Sequence, residues 1–232
     1  MHILSILDND FYKFTMQQAV VKLFPKAKAK YAFINRGKHA FPAGFGEVLK
    51  KNIQDLQKLG LTTDEKKFIQ QKCPYFTPTY LDFLQGFRYD ATEVTVIQKG
   101  EDLSVHIEGY WYRTILWEVP VLFLISQLYY EMQDAERSSN KEVEELAKSK
   151  MRKYKELGAT IADFGTRRRY SYEVQKITVG ALKEVGDDLF IGTSNVHLAM
   201  LHQTRPIGTH AHEWFMFHAA KFGFKMANWM AL

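Results

Sequence analysis

The sequence predicts an α/β chain in two parts. Residues 1–136 form an N-terminal α+β domain with a connecting helix, and residues 137–232 open a βα barrel that is incomplete. Two observations carry this. Three times an apolar run ends in Gly-Thr and gives way to a helical pattern: Ile161–Thr166, Leu189–Thr193 and Pro206–Thr209. Strand–turn–helix repetition indicates parallel βα units, whose turns gather on one face of a barrel. The first half lacks that repetition and carries instead the signature of an antiparallel hairpin, Glu93–Gln98 and Leu103–Ile107 around Lys99-Gly100. A barrel needs eight strands and about 250 residues, and the signals here account for three. The barrel is therefore expected to be truncated, with an uncovered strand edge and apolar faces that make the isolated chain unstable or aggregation-prone.

Element by element, a helix is expected from Asn9 to Leu23, stopped by Pro25. Ala29–Asn35 reads as a strand closed by Arg36-Gly37. Phe45, Val48, Leu49, Ile53 and Leu56 recur at helical spacing before Gly60, and Thr62 with Glu65 forms a capping box for another helix. After the hairpin, the apolar stretch Ile115–Leu128 contains Glu118, Pro120 and Gln127. It falls short of the roughly 20 apolar residues of a membrane span and reads as a buried helix. Ser139 and Glu142 cap a further helix, with Val143, Leu146, Ala147, Met151 and Tyr154 as its apolar stripe and Gly158 as its stop. A last helix is expected over Phe215–Leu232.

Composition narrows the function classes. With 46% hydrophobic residues the chain can build a core, and an excess of 31 Lys and Arg over 26 Asp and Glu suits anionic small molecules such as phosphates. No basic arm or RNA-binding aromatic signature is present, so no nucleic-acid partner is expected. The single cysteine, Cys73, has no internal disulfide partner, and Met1–Asp8 lacks the features of a secretory leader. A cytoplasmic setting with no membrane partner is expected.

Three segments carry the chemistry. In Gly208-Thr209-His210-Ala211-His212-Glu213-Trp214 two histidines lie two residues apart, which does not put them on one helical face. A metal-dependent hydrolase built on His210, His212 and Glu213 is therefore the weaker reading. A histidine at the end of a barrel strand is instead suited to accept phosphate, with Glu213 to orient it. His218 reads as a satisfied helix histidine. In Asp163-Phe164-Gly165-Thr166-Arg167-Arg168-Arg169, arginines at a helix start oppose its dipole, which makes sense where an anion is held. Arg167 takes the functional reading and Arg169 that of a surface residue. The third segment, Asp8–Met16, is on its own an N-capped helix with an aromatic stripe.

Together these segments resemble bacterial nicotinate phosphoribosyltransferases. Asn-Asp-Phe-Tyr-Lys-Phe-Thr-Met-Gln-Gln-Ala from Asn9, Ile-Leu-Trp-Glu-Val-Pro from Ile115, Asp-Phe-Gly-Thr-Arg-Arg-Arg from Asp163, Gly-Thr-Ser-Asn from Gly192 and Gly-Thr-His-Ala-His-Glu-Trp from Gly208 occur in that order. The resemblance implies an irregular phosphoribosyltransferase-type barrel. It also implies transfer of 5-phosphoribose from phosphoribosyl pyrophosphate to nicotinate in NAD biosynthesis, coupled to ATP hydrolysis through a phosphohistidine, with Mg2+ bound along with phosphates. By motif position the phosphohistidine is His212. Tyr12 and Phe164 would sandwich the pyridine ring, the tyrosine coming from the neighbouring subunit of a homodimer. Arg167 lies near the substrate's anionic groups, and Asp10, Ser194, Asn195 and Thr209 border the pocket. Family chains continue into later strands with an acidic Ser-Gly-Asp segment and further phosphate-binding glycines, so the resemblance also implies that much of the phosphoribosyl pyrophosphate site lies outside this chain. A non-catalytic fragment that binds nicotinate or only dimerises is the alternative.

Overall fold

The computed structural model describes residues 3–133 and 136–232. Met1 and His2, at the head of the segment read for a leader, lie outside the described residues.

The first half runs α1 (Phe11–Leu23), β1 (Lys28–Ala32), α2 (Phe45–Asp55), α3 (Thr63–Lys72), α4 (Pro78–Gly86), β2 (Val94–Lys99), β3 (Asp102–Tyr110), α5 (Trp111–Thr114) and α6 (Glu118–Met132). The hairpin forms as expected, with Lys99 opposite Asp102, and β1 adds antiparallel to the other edge of β3, from Lys28 opposite Tyr110 to Ala32 opposite His106. The order is β1–β3–β2. Period-two alternation puts Leu103, Val105 and Ile107 of β3 into the core. Helix α6 buries Val119, Val121, Phe123, Leu124, Ile125 and Leu128, the all-round apolar texture of a core helix. Among the described residues no helix is long and apolar enough to cross a membrane. The Thr62–Glu65 capping box is present in both directions.

The second half runs α7 (Asn140–Glu156), β4 (Ile161–Asp163), α8 (Tyr172–Gly186), β5 (Phe190–Thr193), α9 (Val196–Leu201), α10 (His212–Phe222) and α11 (Phe224–Ala231). Strands β4 and β5 pair in parallel, and a smaller core of Met151, Tyr172, Val179, Leu182, Phe190 and Leu198 lies beneath them. Three expectations need correction. The α7 stripe is narrower than its spacing suggested: Ala147 and Met151 face inward, but Leu146 and Tyr154 face solvent. The third strand is reduced to one parallel bridge, Thr193 with Pro206, in which Thr193 N–H donates to the Arg205 carbonyl and Ile207 N–H donates to the Thr193 carbonyl. The terminal helix is two helices, broken at Gly223, whose φ of 80° no helical residue adopts. Helix α11 leaves Phe224 and Trp229 largely exposed, as is Leu232 just after it.

What positions the site is the way the N-terminal segment crosses the second half. His197 N–H donates to the Leu7 carbonyl at 2.9 Å, and Phe11 N–H donates to the Ser194 carbonyl at 2.7 Å. Asp10 also bridges antiparallel to Asn195. Residues 7–11 thus lie along the turn that follows β5, and α1 begins at Phe11 rather than Asn9. Gly192 makes that turn possible. Its φ is +141°, and a Cβ there would sit 2.1 Å from the Arg205 carbonyl oxygen.

Candidate active site

Asp163 knits the first two Gly-Thr turns together. Its side chain accepts from Gly165 N–H at 3.0 Å, Gln175 Nε2 at 3.0 Å and Thr193 Oγ1 at 2.7 Å. The turn it stabilises carries Phe164, Arg167 and Arg169 to different fates. Phe164 is exposed. Arg167 reaches across to the N-terminal segment, donating from Nε to Asp10 Oδ2 at 3.2 Å, from Nη1 to Glu118 Oε1 at 3.2 Å and from Nη2 to the Tyr12 hydroxyl. Asp10 also accepts from Ser194 Oγ at 2.6 Å. Four residues expected at the site, Asp10, Tyr12, Arg167 and Ser194, therefore form one hydrogen-bonded group.

Arg169 is not a surface residue. It is buried, donating to both oxygens of Asp8 at 2.6 and 2.7 Å, and its guanidinium lies 3.8 Å from the Phe123 ring centroid. The solvent-facing member of the arginine run is Arg168. Asn195 faces the interior as well: it donates to Asp8 at 2.7 Å and caps α9 by accepting from Leu198 N–H. Both side chains hold the scaffold together from behind the turns.

Beneath the Arg167 group lies a charge cluster that the sequence reading did not find. The Lys13 side chain is fully buried, its ammonium paired with Glu118 and, at 2.6 Å, with Glu213. Glu213 further accepts from Tyr31 and from Trp111 Nε1. Its bonds thus run to Lys13, Tyr31 and Trp111, and the expected role of Glu213 in orienting His212 does not hold. Glu118 takes the intermediate place, bridging Lys13 on α1 and Arg167 on the Asp-Phe-Gly turn. Burial alone would raise its carboxyl, but Lys13, Arg167 and, more weakly, His212 outweigh it and hold the group below the usual carboxylate range. For Lys13, burial would lower the ammonium, yet Glu213 and Glu118 prevail and raise it. Burial first, and Glu118 and Asp10 in support, push the Tyr12 phenol up to about 12, so it stays protonated at neutral pH against the opposing pull of Lys13 and Arg167.

His212 is exposed at the first position of α10. Helices α8 and α9, which follow the other two Gly-Thr turns, are capped by the side chains of Ser171 and Asn195. The N-cap of α10 is Ala211, which has none to offer. Trp214 N–H donates back to the Ala211 carbonyl at 3.0 Å, so the N–H groups of His212 and Glu213 are the ones that no capping side chain takes. His210 packs its ring 6.0 Å from Phe215, and Glu213 points inward, so these two do not join His212 in a ligand set. His218 is buried and hydrogen-bonded to the Trp214 carbonyl, as expected.

Two cavities flank the cluster. One, of about 550 Å³, is lined by Tyr31, Arg36, Glu118, Arg167 and Arg168 among others; the second, of about 520 Å³, by Phe11, Tyr12, Arg205, Thr209, His210 and Trp214 among others. Phe164 lines neither, and its ring is not paired with that of Tyr12 within one chain.

Residues 7–126 match the nicotinate phosphoribosyltransferase N-terminal domain, and residues 159–228 match the nicotinate phosphoribosyltransferase family. The chain belongs to the nicotinate phosphoribosyltransferase family. It is 59% identical over 228 residues to the nicotinate phosphoribosyltransferase of Chromohalobacter salexigens, covering 98% of this chain and 58% of that protein. The crystal structure of the Porphyromonas gingivalis nicotinate phosphoribosyltransferase superposes with a TM-score of 0.95 at 46% identity, over 99% of this chain and 59% of that one. The Vibrio cholerae nicotinate phosphoribosyltransferase superposes at 0.89 and 28% identity, over 100% and 56%. The chain therefore spans somewhat over half the length of these relatives. The residues missed by motif reading in this nicotinate phosphoribosyltransferase family member, Lys13 and Glu118, lie inside two of the five quoted segments. Lys13 sits among aromatics and Glu118 interrupts an apolar stretch. A charge in such a setting signals a buried partner.

Proposed function

We propose that this chain supplies the base-binding and phosphohistidine portion of a nicotinate phosphoribosyltransferase, which converts nicotinate, phosphoribosyl pyrophosphate and ATP to nicotinate mononucleotide, pyrophosphate, ADP and phosphate. The observation that carries the reading is the junction of Asp10, Tyr12, Glu118, Arg167 and Ser194, tied through Lys13 to the uncapped N-terminus of α10. Anionic groups of substrate are held at the α10 end, where backbone N–H groups and the helix dipole favour negative charge. His212 stands at that end and accepts the phosphoryl group from ATP. Phe164, exposed and unpaired by Tyr12 of its own chain, stacks on one face of the pyridine ring, and a second copy of the chain contributes the opposing tyrosine in a homodimer.

The acids at this site are already engaged: Asp10 by Arg167 and Ser194, Glu118 by Lys13 and Arg167, and Glu213 by Lys13, Tyr31 and Trp111. The residues present thus fit magnesium that arrives on phosphate oxygens rather than on a protein carboxylate cage. When bound, it would neutralise charge on the pyrophosphate leaving group. Arg167 stays charged, its guanidinium stabilised by Tyr12, Glu118 and Asp10 against the opposing effect of burial. A lone cysteine without an internal partner favours a cytoplasmic setting.

The test is incubation with γ-labelled ATP. Acid-labile label on the wild-type chain that disappears in His212→Ala supports the reading, and label that persists in the variant removes His212 from the role. Saturable nicotinate binding, lost in Phe164→Ala, with no mononucleotide formed even when phosphoribosyl pyrophosphate and ATP are present, would select a binding fragment instead.

A further inference from the structure

We infer that Asp163 and Gln175 are a positioning pair for the base: together they set the distance between the turn that carries Phe164 and the turn that carries Ser194. The inference rests on the nicotinate-binding reading above and adds the two side chains that hold its walls in register. Phe164 is 47% exposed, so the backbone on either side of it, more than packing, sets its place. That backbone is closed into a loop by Asp163 Oδ1, which accepts from Gly165 N–H at 3.0 Å. A Cβ on Gly165 would meet the same oxygen at 2.9 Å, so glycine lets the carboxylate come this close. The rest of Asp163 reaches the second turn. Its Oδ2 accepts from Thr193 Oγ1 at 2.7 Å, and its backbone carbonyl accepts from Ser194 N–H at 2.8 Å. Ser194 Oγ then donates to Asp10 at 2.6 Å. One residue thus holds Phe164 on one side and Ser194 on the other.

Gln175, in the first turn of α8, holds Asp163 in its turn. It is buried, and its amide lies only one way round. Arg169 Nη1, which can only donate, faces Gln175 Oε1 at 3.3 Å; Nε2 is left to donate to Asp163 Oδ2 at 3.0 Å and to Thr166 Oγ1 at 3.1 Å. Arg169 is itself anchored on Asp8. The bonds therefore run from the buried Asp8–Arg169 pair through Gln175 and Asp163 to both turns. The Asp163 side chain meets donors only, so the pair is matched in polarity as well as in shape. Asp163→Asn keeps the shape but exchanges one oxygen for an NH2 group. Whichever way that amide lies, N–H meets N–H, at Gln175 or at Gly165, and a buried donor is left unpaired. Gln175→Glu supplies the complement: its carboxylate accepts from the new amide and still accepts from Arg169. The Thr193 hydroxyl rotates to accept where it had donated.

Two measurements test the pair: calorimetric titration of this chain with nicotinate, and hydrogen exchange at the Gly165 and Ser194 amides without any ligand. Asp163→Asn is expected to raise the nicotinate dissociation constant roughly tenfold, within the range lost when a remote change misplaces a contact group. Gln175→Glu alone sets carboxylate against carboxylate and should weaken binding as well. The double variant Asp163→Asn/Gln175→Glu should return to within about threefold of wild type, the coupling expected of side chains in direct contact. Two substitutions that merely loosened the fold would add rather than cancel. The Gly165 and Ser194 amides should exchange faster in each single variant and slow again in the double one. Wild-type affinity in Asp163→Asn, or a double variant that circular dichroism shows folded yet binds no better than Asp163→Asn, overturns the proposal. If Asp163→Asn does not fold, Thr193→Val, which removes the hydroxyl joining Asp163 to the second turn, is judged by the same loss of affinity. If the wild type itself binds no nicotinate, the base-binding reading fails and exchange alone decides: acceleration reversed in the double variant keeps the pair as the clamp between the turns, and unchanged exchange removes it.

Discussion

Arg169→Met tests whether the buried pair with Asp8 holds the two halves of the fold together. The Arg169 and Asp8 side chains are 1% and 0% exposed, joined by two hydrogen bonds of 2.6 and 2.7 Å, so the interaction is sheltered from solvent screening. Removing the cation leaves Asp8 buried with the amide of Asn195 as its remaining side-chain donor. Breaking a buried pair from one side costs about 3–5 kcal/mol, against a total stability on the order of 5–15 kcal/mol. For a chain of this size that corresponds to a fall in melting temperature of roughly 6–20 °C. Arg168→Met, at the neighbouring residue but exposed, should change stability by no more than about 0.5 kcal/mol. Urea unfolding followed by circular dichroism measures both variants against wild type. Should Arg169→Met fall within about 1 kcal/mol of Arg168→Met, the pair is not what binds residues 7–11 to the turns after β4 and β5.

Two further outcomes follow from the same geometry. Gly192→Ala forces a Cβ to within 2.1 Å of the Arg205 carbonyl oxygen at a φ of +141°; a loss of about 3 kcal/mol or more is expected, measured by the same denaturation, and a wild-type melting curve would show that the turn relaxes freely. The Lys13–Glu118 pair also sets a pH window. Because the folded Glu118 carboxyl lies below its ordinary 4.5, its contribution is complete above that value and is lost as pH falls through the folded pKa. Because the folded Lys13 ammonium lies above its ordinary 10.5, its contribution is complete below that value and is lost as pH rises through the folded pKa. Thermal melts across pH should therefore show the acid limb of wild type weakened in Glu118→Gln, and an acid limb identical in the two proteins would remove Glu118 from the account.

Local chemistry made much of this fold legible. Both capping boxes, the Lys99-Gly100 hairpin and the first two Gly-Thr turns depend on residues within a few positions of one another, and each forms. Helix α4 carried an equally local signal, Thr77 as N-cap with Pro78 at the first turn, which the reading passed over. What local pattern does not reveal is which distant partner claims a charge. Arg169 follows two other arginines and looks solvated, but Asp8 lies 161 residues away and takes it inside. Glu213 sits next to His212 and looks like its partner, but Lys13, 200 residues distant, turns it inward. In both cases sequence neighbours suggested one pairing and tertiary packing selected another.

That selection bears on how the site meets an anion. Lys13 and Arg167 provide two positive charges, and Asp10, Glu118 and Glu213 provide three negative ones, so the interconnected ion pairs carry a net charge of −1 (2 − 3), while the separate Arg169–Asp8 pair is neutral. Such a cluster cannot attract phosphate by its own excess charge. Its value is rigidity: each side chain is fixed from two or three sides, and reorganisation during a reaction is correspondingly small. On the proposed reading, attraction comes from groups outside the cluster, such as the start of α10, the exposed Arg168, and Arg36 and Arg205 in the cavity walls. The arginine run that first suggested an anion site thus divides its labour. Arg169 binds the halves together, Arg167 fixes the carboxylates around Tyr12 and Glu118, and Arg168 remains free to meet an incoming charge.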